Sequence, residues 1–208
     1  MLVIGLTGGI GMGKSAAAEH FARRSIPVFN ADACVHRLYE GEAVPAIEAA
    51  FPGVARDGRV DRKLLAKQVT GHPERLKKLE SIVHPMVVKA EIDFLREQES
   101  KGAKLAVLEI PLLFETGAEK RVDVTIVVSA PSKVQRERVL ARSGMTVEKL
   151  EHLLARQLSD KERRTRADFV INSGTSLKEM HVDLDQLIES LQNREGRIME
   201  RLRHSYMD

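Results

Sequence analysis

The chain has 208 residues, 43% of them hydrophobic and 4% aromatic, with a formal net charge of +3 and a single cysteine. That length supports one core of good size with a smaller appended lobe, and the lone Cys34 excludes an intrachain disulfide. No apolar run reaches the roughly 18 residues of a membrane-spanning helix, and the scarcity of aromatics leaves no stacking surface for single-stranded nucleic acid. The first residues lack the pattern of a signal peptide, because Gly5 and Thr7 break the apolar run. The expected setting is cytoplasmic, with neither a membrane nor a nucleic acid as partner.

The first predicted element is a short buried strand, Leu2 to Leu6, followed by GGIGMGKS from Gly8 to Ser15 and a helical pattern from Ala16 to Arg24. Gly8, Gly13, Lys14 and Ser15 satisfy G-x-x-x-x-G-K-[ST], the spacing of a phosphate-binding loop between a strand and a helix. Backbone amides that converge on one anion need positive φ values and close backbone approach, which glycine supplies with little strain. The helix behind the loop adds unpaired N–H groups and a partial positive charge of about half a unit. Lys14 is then expected to bridge the β and γ phosphates of a nucleotide, and the Ser15 hydroxyl to take a place on Mg²⁺. A flexible glycine turn with a chance lysine is the bland alternative, and the flanking strand and helix weigh against it.

Four more strands are predicted, at Pro27 to Ala31, Leu105 to Ile110, Val122 to Ser129 and Phe169 to Asn172, each followed by helical sequence. This alternation argues for an α/β fold with a five-stranded parallel sheet and helices on both faces. The expected core is 1–32, 103–131 and 167–195. An inserted lobe of about 33–102 has no convincing strand. Its helical patterns are Ala33 to Tyr39, Val44 to Phe51, Arg62 to Val69, and Glu74 to Glu99 with an interruption at His84-Pro85. Pro52 to Arg59 reads as a surface loop. A second helical excursion, about 132–166, holds ten Lys/Arg against five Asp/Glu between Lys133 and Arg166, a basic lid over bound phosphates or a solvated surface. The last predicted helix spans Leu177 to about Leu191, and Arg194 to His204 reads as an exposed basic tail.

Several side chains outside the loop are candidates. Asp32 follows the second strand, where the carboxyl ends of a parallel sheet border the ligand crevice, so it could accept the proton of an acceptor hydroxyl or cap a helix. Glu109 ends the third strand, where it would help hold Mg²⁺ through water. Glu115, expected to be exposed beyond Leu112-Leu113-Phe114, could touch substrate or start a helix. His84 could face the acceptor. Arg138 and Arg142, spaced i, i+4, would share a helix face and neutralise charge on the transferring phosphoryl group.

Taken in order, IGLTGGIGMGKS, NADACVHRLY, LESIVHPMV, IPLLFE, RVLARSGMTVEKLEHLLARQ and KERRTRADFVINSGT resemble the dephospho-CoA kinase family along nearly the whole chain. The resemblance implies a P-loop NTPase fold of the nucleoside-monophosphate-kinase type, with an inserted substrate lobe and a helical lid. It implies transfer of the ATP γ-phosphate to the ribose 3′-hydroxyl of dephospho-CoA. By matching positions, Gly11, Met12, Gly13, Lys14, Ser15 and Ala16 would hold the ATP phosphates, and Asn172 to Gly174 the adenine edge. Asp32 would be the acceptor-side carboxylate and Arg142 the lid arginine, both catalytic with Lys14, while His84, Leu113 and Glu115 are further candidates to face the acceptor. Met12 and Ala16 stand where many relatives have Ser and Thr, and Glu109 where many have Asp. A kinase with another small acceptor, or a nucleotide switch, stays open on the fold alone. The expected state is a monomer or weak homo-oligomer.

Overall fold

The computed structural model describes residues 1–204. Its strands are β1 (Leu2–Thr7), β2 (Val28–Asn30), β3 (Ala55–Arg56), β4 (Arg59–Val60), β5 (Leu105–Glu109), β6 (Val124–Ser129) and β7 (Phe169–Asn172). Its helices are α1 (Lys14–Arg23), α2 (Ala31–Tyr39), α3 (Val44–Ala50), α4 (Arg62–Val69), α5 (Pro73–Ser100), α6 (Ser132–Leu140), α7 (Val147–Leu154), α8 (Asp160–Arg166), α9 (Leu177–Leu191) and α10 (Ile198–His204). The chain divides into two compact units, Met1–Phe29 with everything from Leu95 onward, and Asn30–Phe94.

In the first unit, the five-stranded sheet runs β2-β5-β1-β6-β7, with β1 parallel to both β5 and β6, and β6 parallel to β7. Side chains alternate across a strand, so Leu2, Ile4 and Leu6 share a face with Val107, Ile126 and Val128. That face is covered by Ala17 and Phe21 of α1 and by Met180, Leu184 and Leu191 of α9, all buried. Each large side chain removed from water contributes about 1.5–3 kcal/mol. The phosphate-loop helix is thus fixed to the sheet along its length.

A polar pin adds to this packing. Nε2 of His20 on α1 lies 2.7 Å from Oδ1 of Asp185 on α9, and Arg24 Nε donates to the same oxygen at 2.7 Å. His181 stacks on His20 with ring centroids 4.3 Å apart. Hydrogen bonds from Arg24 and His20 pull the Asp185 carboxyl from its ordinary 3.8 down to about 2. A depressed carboxylate stabilises the fold above its unfolded pKa, and the contribution disappears as pH falls through the folded one. The expected result is that Asp185→Asn lowers Tm at about pH 5 and above, and that the gap to wild type closes between about pH 4 and 2. A gap that persisted unchanged at the acid end of that range would show that Asp185 acts by packing alone.

The segment from Arg194 to His204 differs from the exposed tail read in the sequence. It carries α10, with Ile198 and Met199 buried. The Asp123 carboxylate accepts from the N–H groups of Arg197 at 2.6 Å, Ile198 at 3.0 Å and Val3 at 2.8 Å. One acidic residue before β6 therefore caps the last helix and ties it to β1. Nothing in the tail's own sequence announces a cap supplied from so far back in the chain.

The second unit also departs from expectation in two places. The stretch read as a loop from Pro52 to Arg59 runs into a β3-β4 hairpin, turned at Asp57 (φ 50) and Gly58 (φ 74), the Asp-Gly pairing that a tight hairpin turn favours. The Glu48 carboxylate steadies its approach, accepting from the N–H groups of Gly53 and Ala55, each at 2.6 Å. The expected interruption at His84-Pro85 does not occur, and α5 continues through it. Proline removes one intrahelical bond. The buried stripe Leu79, Val83 and Val87, spaced i, i+4, i+8, runs past it and holds the helix together. Cys34 of α2 is buried, and that burial pushes its thiol pKa up.

Candidate active site

The phosphate loop joins β1 to α1. Gly11 (φ 74) and Gly13 (φ 86) adopt the left-handed conformation, and Gly13 is the N-cap of α1 with no side-chain cap. The first N–H groups of α1 are thereby left for an anion. A Cβ on Gly13 would also lie 3.0 Å from Ser173 Oγ, so both conformation and space demand glycine there. Lys14 Nζ is paired with the carboxylate of Glu109, which is only 4% exposed at the end of β5. Beside it, Thr7 Oγ1 donates to the Pro111 carbonyl at 3.0 Å and so fixes how the chain leaves β5. Ser15 is exposed at the start of α1 and Ala16 half-buried. A hydroxyl and a nearby carboxylate are hard oxygen donors, and they fit Mg²⁺, which takes few protein ligands and keeps phosphate and water oxygens.

The other wall is built from β6, β7 and α6. The Met12 thioether accepts from the Ala130 N–H at 3.1 Å, and the Met12 carbonyl accepts from the Ser173 hydroxyl at 2.6 Å. Arg138 donates to Ser173 Oγ at 3.0 Å and to the Ser173 carbonyl at 2.6 Å. Asn172 Oδ1 accepts from the Gly174 N–H at 2.8 Å, and a Cβ on Gly174 would fall 2.3 Å from Pro131 Cδ. Met12, Ser129, Pro131, Gln135, Arg164 and Asn172 line a cavity of about 440 Å³ beside the loop.

The basic segment is α6, α7 and α8 with their connections, and its charge is not one free patch. Arg138 is committed to Ser173, and Arg136 pairs with Glu151. Arg142 does not share a helix with Arg138, because α6 ends at Leu140 and the chain turns toward Gly144 (φ 74). Arg142 is exposed. Arg163 is 2% exposed and packs on the loop, so that a Cβ on Gly9 would sit 2.5 Å from its Nη2. Its Nη1 is 3.7 Å from Glu115 Oε1, and burial lowers the Arg163 pKa while the Glu115 charge opposes that.

Two candidates for the acceptor, Glu115 and Leu113, have side chains turned inward. Glu115 is not exposed and starts no helix, since its carboxylate turns inward to accept from the Leu158 N–H at 2.9 Å and to face Arg163. Leu113 is fully buried, close enough to Gly5 that a Cβ there would lie 3.2 Å from its Cδ2. Its apolar side chain fills the core and has no surface to offer a ligand. In the second unit, Asp32 is exposed in the first turn of α2. The cap of that helix is Asn30, whose Oδ1 accepts from the Ala33 N–H at 2.7 Å, so Asp32 is not needed as an N-cap. His84 is exposed on α5.

Sequence reasoning reaches Ser173 only as part of the Asn172 to Gly174 edge and Arg163 only as one charge of the basic segment, and it does not single out Gln135 or Gln157. The sequence carries no signal for the two glutamines, since Gln is an ordinary residue of an exposed helix.

A sequence model of the dephospho-CoA kinase family matches residues 2–179. A dephospho-CoA kinase of Rhodopseudomonas palustris is 54% identical over 190 residues, 91% of this chain and 96% of its own. One from Brucella melitensis is 54% identical over 191 residues, 92% of this chain and 96% of its own. Among solved structures, a Thermus thermophilus protein superposes with a TM-score of 0.79 at 38% identity, covering 91% of this chain and 97% of that one. A Campylobacter jejuni dephospho-CoA kinase has the same fold, with a TM-score of 0.63 at 22% identity over 91% of this chain and 96% of its own. With its glycine loop, its paired Lys14 and Glu109 and this extent of likeness, the chain belongs to the dephospho-CoA kinase family.

Proposed function

We propose that the chain transfers the γ-phosphate of ATP to the ribose 3′-hydroxyl of dephospho-CoA, giving ADP and coenzyme A. The observation that carries this reading is a left-handed glycine loop opening on an uncapped helix N-terminus, with Lys14 beside it on Glu109. The choice of acceptor rests on family membership.

In this reading the amides from Gly11 to Ala16 hold the phosphates, and Lys14 leaves Glu109 to meet the β and γ groups. The Ser15 hydroxyl, with Glu109 acting through water, would hold Mg²⁺, which would supply charge neutralisation on the phosphates. Adenine lies beside Asn172 at the cavity lined by Met12. The acceptor oxygen forms a bond to the γ-phosphorus as the bond to the β-phosphate oxygen breaks, and Asp32 takes the hydroxyl proton. Arg142, exposed on the lid, neutralises charge on the transferring group. His84 faces the acceptor, and the enzyme works as a cytoplasmic monomer or weak homo-oligomer.

ADP release measured with dephospho-CoA, AMP, adenosine and gluconate in parallel tests the acceptor. Stimulation by dephospho-CoA alone is expected. Equal or greater stimulation by another acceptor would overturn the reading.

A further inference from the structure

Glycine-rich loops carry few side chains with which to fix themselves, so something else must set their peptide planes. Here the loop residue Ile10 is held on both sides. Its carbonyl accepts from Gln135 Nε2 at 2.8 Å, and its N–H donates to Gln157 Oε1 at 3.3 Å. Gln135 stands on α6 and is 6% exposed, and Gln157 follows α7 and is half-buried. The main chain beside Gln157 is itself fixed, because the Leu158 N–H donates to Glu115.

We propose that Gln135 and Gln157 are positioning residues of the phosphate site, a clamp by which the lid segment sets the direction of the loop amides. This rests on the phosphate-transfer reading above. In a trans peptide the C=O and the following N–H point in opposite directions. Gln135 draws the Ile10 carbonyl toward itself, and so turns the Gly11 N–H away from α6. Gln157 draws the Ile10 N–H outward, which turns the Gly9 carbonyl the other way, where it accepts from the Met12 N–H at 3.1 Å. Both planes flanking Ile10 are thus held from α6 and the end of the α7 segment. Any movement of those elements changes where the Gly11 amide points.

Gln135 uses the NH₂ of its side-chain amide as donor and Gln157 the C=O of its own as acceptor, and the experiment exploits that difference. Gln135→Glu and Gln157→Glu add the same charge on either side of one residue. Only the first places an acceptor against an acceptor, whereas the carboxylate of the second can still receive the Ile10 N–H. Affinity for a fluorescent ATP analogue and steady-state kinetics would be measured with Tm for each variant. We expect Gln135→Glu to weaken analogue binding at least about 10-fold more than Gln157→Glu, with kcat/KM for ATP following, since the cost is that of a buried acceptor left facing another. Equal losses in the two variants would reduce the effect to added charge and overturn the clamp.

Should Gln135→Glu not fold, Gln135→Met and Gln157→Met decide. Each is expected to weaken binding about 5-fold or more in protein that still melts cooperatively, with the lower Tm that a lost hydrogen bond brings, and wild-type affinity in both would end the proposal. The binding titration needs no acceptor. Failure of wild type to phosphorylate dephospho-CoA would therefore remove the acceptor reading while the clamp was still judged.

Discussion

Lys14→Ala is expected to lower kcat/KM by about 10³-fold or more, because in the proposed reaction the lysine charge serves the β and γ phosphates, where negative charge is concentrated during transfer. The structure adds a second consequence. Lys14 also neutralises Glu109, a carboxylate only 4% exposed, so the substitution removes a counter-charge from a nearly buried acid. Breaking such a pair from one side is costly, and a loss of about 1–3 kcal/mol of stability is expected, less than for a wholly buried pair because the lysine side chain is 14% exposed. Activity and stability must therefore be separated. Lys14→Ala combined with Glu109→Gln removes both charges, and its Tm is expected to return toward wild type while activity stays absent. Thermal melts and turnover on the same preparations make the comparison. Recovery of turnover together with Tm would show that Lys14 matters for folding rather than for the phosphates.

What is legible in the sequence and what is hidden divide along physical lines. The strand from Phe169 to Asn172 is legible to the residue in a short β-branched and aromatic run, and the helix from Leu177 to about Leu191 in leucines and an isoleucine spaced along one face. The phosphate loop is legible because its chemistry demands a fixed spacing. What escapes is non-local. Asp123 capping α10, Arg163 burying itself against Gly9, and the glutamines meeting Ile10 each join positions whose relation only the folded chain reveals. Pro85 misleads for the opposite reason. Its local preference is strong, and the buried stripe of Leu79, Val83 and Val87 overrides it. A sum of charges overstates the free field of the basic segment, because Arg136, Arg138 and Arg163 each have a partner or a packing site that subtracts them from it.

Asp32→Asn is expected to preserve ATP binding and to lower kcat by about 10²-fold or more, because the amide keeps the shape of the carboxylate but cannot accept the hydroxyl proton. The local structure makes this a clean substitution. Asn30, not Asp32, caps α2, so the exposed Asp32 carboxylate can change without uncapping the helix. A negative charge in the first turn favours a helix by only about 0.3–1 kcal/mol, so Tm should change little. Any large fall in rate must then be assigned to the reaction. The split between kinetic constants identifies the kind of role: a fall in kcat with ATP affinity unchanged places the carboxylate at the transferred proton. A normal kcat with a raised KM for dephospho-CoA would instead make Asp32 a residue that binds acceptor and transition state equally. Asp32→Glu sharpens the distinction, since it retains a base but moves it by one methylene. If proton acceptance is the role, the glutamate variant should recover part of the lost kcat, whereas a purely steric requirement would leave it no better than asparagine.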